Sequence, residues 1–136
     1  MAAGYSRTPL VKKLGIKPGF KVFFANPPDN LQTLLGELPK NVTLLNKPMN
    51  PVDYIHLFTK NREELQTQLP ILKEALAING LFWISWPKKA AKVATDLDGN
   101  VVRDIGLQNG LVDVKVCAVD EIWSGLKFVY RLKDRK

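Results

Sequence analysis

Residues 81–96, LFWISWPKKAAKVATD, decide how this chain is read. Leu81–Trp86 is almost wholly apolar, the pattern of a strand buried on both faces rather than one side exposed to water. Asn79-Gly80 just before it is a helix stop, and Trp86-Pro87-Lys88-Lys89 turns the chain at its end. A buried strand entered from a helix belongs in a parallel sheet. Open sheets of this kind bind ligands at the carboxyl edge of their strands. The stretch therefore marks a fold class and the place where a site is expected.

Upstream, Asn61 with Glu64 three residues on forms a capping-box pattern. Leu65, Leu69, Leu72 and Leu76 recur at helical spacing, so a helix is expected up to Asn79-Gly80, with a kink or break at Pro70. Val52–Thr59 reads as a strand opening near Asp53, Asn46–Pro51 as a connector, and Val42–Leu45 as a short strand. A strand over Lys21–Ala25 ends at Asn26-Pro27-Pro28-Asp29, which opens a helix over about Asp29–Leu35. Thr8 caps a short helix Pro9–Leu14 that stops at Gly15, and residues 1–7 read as a flexible arm.

Downstream, a helix is expected over Gly99–Gln108, capped by Thr95 or Asp98 and stopped by Asn109-Gly110. Leu111–Glu121 alternates, with Val112, Val114, Val116 and Ala118 on one face and Asp113 and Lys115 on the other. Trp123-Ser124-Gly125 is expected to turn the chain, after which Leu126, Phe128, Tyr130 and Leu132 alternate with Lys127, Arg131 and Lys133. Two alternating strands joined by a tight turn form an antiparallel hairpin. The element order implies one domain over residues 1–136: a three-layer α/β fold, mainly parallel, with an antiparallel hairpin strand at one edge.

Composition narrows the function classes. At 136 residues, 46% apolar and 24% charged, the chain suits one globular domain that buries roughly 70% of its unfolded surface. Its apolar runs are too short to span a bilayer, so no membrane partner is expected. The first residues show no charged-apolar-small leader, and the lone Cys117 cannot pair internally, so a cytoplasmic location is expected. A net charge of +7 favours anionic partners. Nucleic acid is among them without a supporting motif, since no basic-aromatic sheet signature, zinc finger or helix-turn-helix is present.

Two resemblances follow from particular residues. Asp53-Tyr54-Ile55, then Leu72-Lys73-Glu74-Ala75-Leu76, Asn79-Gly80-Leu81 and Ser85 resemble the second half of a class I, Rossmann-like methyltransferase. The Lys17-Pro18-Gly19 turn and the closing hairpin fit as well. The resemblance implies a methyltransferase-like sheet shortened by one strand-helix unit between Leu45 and Val52. Over nearly its full length the chain also resembles an uncharacterised bacterial domain-of-unknown-function family. That likeness rests on Gly4-Tyr5-Ser6, Thr8-Pro9-Leu10, Trp86-Pro87-Lys88-Lys89, Thr95-Asp96-Leu97 and Val119-Asp120-Glu121 with Trp123-Ser124-Gly125-Leu126. It implies a fold and almost no chemistry.

Active methyltransferases end the first strand in a glycine-rich loop, whose backbone approaches the cofactor and offers N–H donors. Here Asn26-Pro27-Pro28-Asp29 stands in that place, and proline has no N–H to offer. The second strand ends in Leu45-Asn46-Lys47, without the acid that would hold ribose hydroxyls. The expectation is that the usual S-adenosylmethionine site is absent and no cofactor is bound.

The carboxyl edge then supplies the candidate ligand-binding residues: Asn26, Trp86, Lys88, Lys89, Lys92, Asp120, Glu121, Trp123 and Ser124. Lysines there would neutralise an anionic small ligand, and tryptophans would pack its planar part. The alternative is a structural cluster in which a lysine pairs with Asp120 or Glu121. Asp96–Asn100 does not form a calcium loop, because Val101 and Leu107 stand where the loop needs Gly and Glu. His56, the only histidine, alternates within a strand and reads as a core or sheet-face residue. No catalytic residue is assigned. The function expected is a non-enzymatic ligand-binding or regulatory module. The alternatives are an S-adenosylmethionine-dependent methyltransferase with an atypical cofactor loop and a protein-interaction module with a protein partner.

Overall fold

The computed structural model describes residues 9–135. Six strands form one sheet: β1 Lys21–Ala25, β2 Thr43–Leu44, β3 Val52–Phe58, β4 Leu76–Pro87, β5 Leu111–Ala118 and β6 Trp123–Tyr130. Their order is β2-β1-β3-β4-β6-β5. β1 to β4 run parallel, and β6 is antiparallel to both its neighbours, β4 and β5. This is the sheet of a methyltransferase-like α/β fold, and among the described residues β2 forms one of its edges.

Helices α1 (Leu10–Leu14) and α2 (Leu31–Leu35) cover one face, and α3 (Arg62–Lys73) and α4 (Gly99–Gln108) cover the other. β3 shows why strict alternation is missing from the sequence. Tyr54, Ile55, His56, Leu57 and Phe58 are all buried, because both faces are covered. Leu65, Leu69 and Leu72 of α3 pack with Val102 and Ile105 of α4 over Ile55, Leu57, Phe82 and Ile84. Val11, Leu14 and Leu35 pack over Val22, Tyr54 and Trp83 on the opposite side, where the Trp83 indole N–H donates to the Leu14 carbonyl at 2.7 Å. The expected caps form: Asn61 accepts from the Glu64 N–H, Asp98 accepts from the Val101 N–H, and Gly15 ends α1 at φ +89°. No helix among the described residues is long and apolar enough to cross a membrane. Thr8 and the arm 1–7 lie outside the described residues.

Several expectations are corrected. α3 continues through Pro70 without a break but stops at Lys73. Leu76 leaves it to pair with Val52 in β4, where it is 2% exposed. Asn79-Gly80 is therefore not a helix stop but part of an irregularity inside β4, since the register runs from Val52↔Leu76 to Tyr54↔Leu81. A Cβ on Gly80 would fall 2.7 Å from Leu76 Cδ1 and 2.9 Å from the Ala77 carbonyl oxygen, so only glycine fits the crowded backbone.

A second irregularity, between Asp113 and Lys115, breaks the alternation of β5. Asp113 pairs with Phe128 and reaches Arg103 of α4, whereas Lys115 pairs with Lys127 on the opposite face. The hairpin turn lies at 119–122, and Trp123-Ser124-Gly125 belongs to β6. The turn is built by Asp120, whose carboxylate accepts the N–H groups of Ile122 and Trp123 at 2.8 and 2.7 Å. Finally, the antiparallel strand β6 sits inside the sheet and β5 takes the edge.

Candidate functional site

The sheet order fixes where a crevice must open. β1 leads to β2 on one side, and β3 leads to β4 on the other, so the chain diverges above the carboxyl ends of the adjacent strands β1 and β3. In open α/β sheets this switch point is where ligands bind. A cleft of about 320 Å³ opens there, lined by Asn26, Pro27 and Pro28 after β1, by Phe58, Thr59, Lys60 and Asn61 at the end of β3, by Glu64 of α3 and by Trp123 of β6.

Each wall has a local cause. Asn26 ends β1 with φ +54°, a left-handed conformation that asparagine tolerates better than other residues with side chains. Phe58 and Trp123 meet edge to face, with centroids 5.2 Å apart, and make the apolar floor. Thr59 is buried, and its hydroxyl donates to the Glu64 carboxylate at 2.5 Å, which sets that carboxylate at the rim. Glu64 thus does not close the capping box onto Asn61.

Beneath the floor runs a buried polar row. His56 Nδ1 lies 2.9 Å from the Tyr54 hydroxyl and Nε2 lies 2.6 Å from the Ser85 hydroxyl. The imidazole stacks on Phe58 at 4.2 Å with an interplanar angle of 9°. Burial lowers its pKa to about 3 and raises that of Tyr54 well above 10, with Cys117 adding to the latter. His56 is therefore a neutral core residue that bridges β3 and β4, where one ring nitrogen donates and the other accepts.

The sequence-derived residues divide between two places. Asn26 and Trp123 line the cleft. Trp86, Lys88, Lys89 and Ser124 line a second cavity of about 490 Å³ on the α3/α4 face. The register makes this division: Trp86 pairs with Ser124 and Pro87 with Trp123, so the two tryptophans point to opposite faces and share no pocket. Asp120 is spent on the turn, while Glu121 and Lys92 are exposed and line neither cavity. Among the described residues the one ion pair is Arg103–Asp113, so the anticipated pairing of Lys88 or Lys89 with Asp120 or Glu121 does not form. Phe58, Asn61 and Glu64 were missed as site residues. The signal for them was the pairing of β3 with β1, which makes the end of β3 one side of the switch point.

The geometry agrees with solved structures. An S-adenosylmethionine-dependent methyltransferase from Aquifex aeolicus superposes with a TM-score of 0.57 at 19% identity, over 88% of this chain and 86% of that one. The precorrin-6y C5,15-methyltransferase of Geobacter metallireducens gives 0.59 at 9% identity, over 96% and 93%. The ribosomal protein L11 methylase of Lactobacillus delbrueckii subsp. bulgaricus gives 0.58 at 11% identity, over 90% and 75%. The fold is methyltransferase-like. No protein-family model matches the sequence, and no curated protein sequence matches it significantly.

Proposed function

We propose that this chain is a methyltransferase-type small-ligand domain whose site is the cleft between β1 and β3. S-adenosylmethionine is the first ligand to assign to it, with methyl transfer as the corresponding activity. One observation carries the reading: the cleft lies at the switch point of a sheet with methyltransferase order. The residues alone favour a non-enzymatic module, and the position of the cleft supports methyl transfer over it.

The cleft offers a partial fit. Asn26 supplies the left-handed backbone turn that glycine gives in such loops. Glu64 would accept hydrogen bonds from ligand hydroxyl or ammonium groups, the amides of Asn26 and Asn61 would donate or accept, and Phe58 with Trp123 would pack an apolar portion. When bound, S-adenosylmethionine supplies an electrophilic methyl group on a sulfonium. The chain's own part is to hold that group and exclude water.

A second reading has its own observation. Pro27 and Pro28 line the cleft and offer no N–H, and the residues ending and following β2, Leu44-Leu45-Asn46, include no acid. This favours a binding or regulatory module that keeps the cleft for another ligand. We also propose membership of the uncharacterised bacterial family named above, on the residues given there.

Calorimetric titration with S-adenosylhomocysteine separates the two readings. A dissociation constant near ~1 μM, about −8 kcal/mol, supports the cofactor site. Asn26→Val and Glu64→Ala should each weaken it. No heat at either of two temperatures removes the methyltransferase reading and leaves the module.

A further inference from the structure

The second cavity, on the opposite face of the sheet from the Phe58–Trp123 floor, has no part in that reading. It opens at the carboxyl end of β4 and encloses about 490 Å³, within the range of small-molecule pockets. Trp86, Pro87 and Leu97 give it apolar walls, and Lys88, Lys89 and Ser124 supply polar groups. Asp98 also lines it, with one carboxylate oxygen accepting from the Val101 N–H of α4.

Its frame is fastened on three sides. The Lys88 N–H donates to the Ile122 carbonyl at 2.7 Å, which holds the basic turn against the hairpin. The Thr95 hydroxyl donates to the Lys60 carbonyl and accepts from the Leu97 N–H. Asp96 accepts from the Arg62 N–H at 2.8 Å, tying the same segment to the start of α3. Neither Lys88 nor Lys89 has a carboxylate within ion-pair distance among the described residues. Two lysines lining a part-apolar cavity, without a carboxylate at ion-pair distance, favour an anion.

We propose that this cavity is a second ligand site, for a flat apolar body bearing one carboxylate or sulfonate. Trp86 and Leu97 take the flat body, and Lys88 and Lys89 take the anionic group. Two lysines against one aspartate leave the walls a single net positive charge, which suits a monoanion better than a phosphate dianion.

Titration of the protein with 1-naphthalenesulfonate and with uncharged 1-naphthalenemethanol tests it. The sulfonate should bind roughly ten-fold tighter or better, a difference of about 1.4 kcal/mol. Lys88→Ala with Lys89→Ala should bring the sulfonate down to the level of the alcohol, and Lys88→Arg with Lys89→Arg should retain the preference. Raising salt from about 50 mM to about 500 mM should weaken only the sulfonate, which repeats the test on the unaltered chain. Saturating S-adenosylhomocysteine should leave the sulfonate affinity unchanged. Equal affinity for the two probes, a folded double variant that keeps its preference, no binding at about 1 mM, or displacement by S-adenosylhomocysteine would each overturn the proposal.

Discussion

Acidification from about pH 7.5 to pH 5 should cost this protein roughly 2 kcal/mol of stability through His56 alone. The side chain is fully buried between the Tyr54 and Ser85 hydroxyls, and burial lowers its pKa from 6.5 to about 3. The unfolded chain therefore takes up a proton at a pH where the folded one does not. A folded pKa below the unfolded value gives stability that is whole above pH 6.5. It declines as pH falls below that value and levels off near pH 3. Ordinary carboxylates titrate lower, near pH 4, so the range from about 6.5 to 5 reports mainly on His56. Urea melts at stepped pH read the slope. His56→Gln keeps a polar side chain but cannot titrate. It should lose about 1–3 kcal/mol near neutrality, because a buried hydroxyl loses its partner, and should show a much shallower acid loss. Parallel slopes for the two proteins, or an imidazole signal titrating near 6.5 in the folded state, would refute the reasoning.

Three further substitutions probe the packing of α4 and the loop after β1. Gly106→Ala in α4 would place a methyl group inside the van der Waals envelope of the buried Phe128 ring. Overpacking should outweigh the gain in helix propensity, for a net loss of about 1–2 kcal/mol in a urea melt, and an unchanged or higher midpoint would contradict close α4–β6 packing. Asn26→Gly should be tolerated because φ is +54°, whereas Asn26→Val should cost about 1–3 kcal/mol; equal stability of the two variants would show that the loop relaxes out of the left-handed conformation.

Much of the architecture was legible because local chemistry is strong there. Helix α4 could be bounded from its capping residue Asp98 and the Asn109-Gly110 stop, and it runs Gly99–Gln108. The same holds for β1, pinned between the Lys17-Pro18-Gly19 turn and Asn26-Pro27. Where local signals conflicted with burial, burial won. Leu76 continues the helical spacing of α3, yet it leaves the helix to bury its side chain beside Val52. Trp123-Ser124-Gly125 looks like a turn, but Asp120 captures two amides and closes the chain three residues earlier, releasing Trp123 into β6.

Short-range patterns in the sequence settled the class of the sheet and the ends of most elements. These follow from apolar runs, caps and turn residues acting within a few positions of one another. Tertiary structure alone decided which edge residues meet. Side chains alternate along a strand, so pairing Trp86 with Ser124 rather than with Trp123 sends the two tryptophans to opposite faces. One residue of register divides a single expected pocket into a cleft and a separate basic cavity.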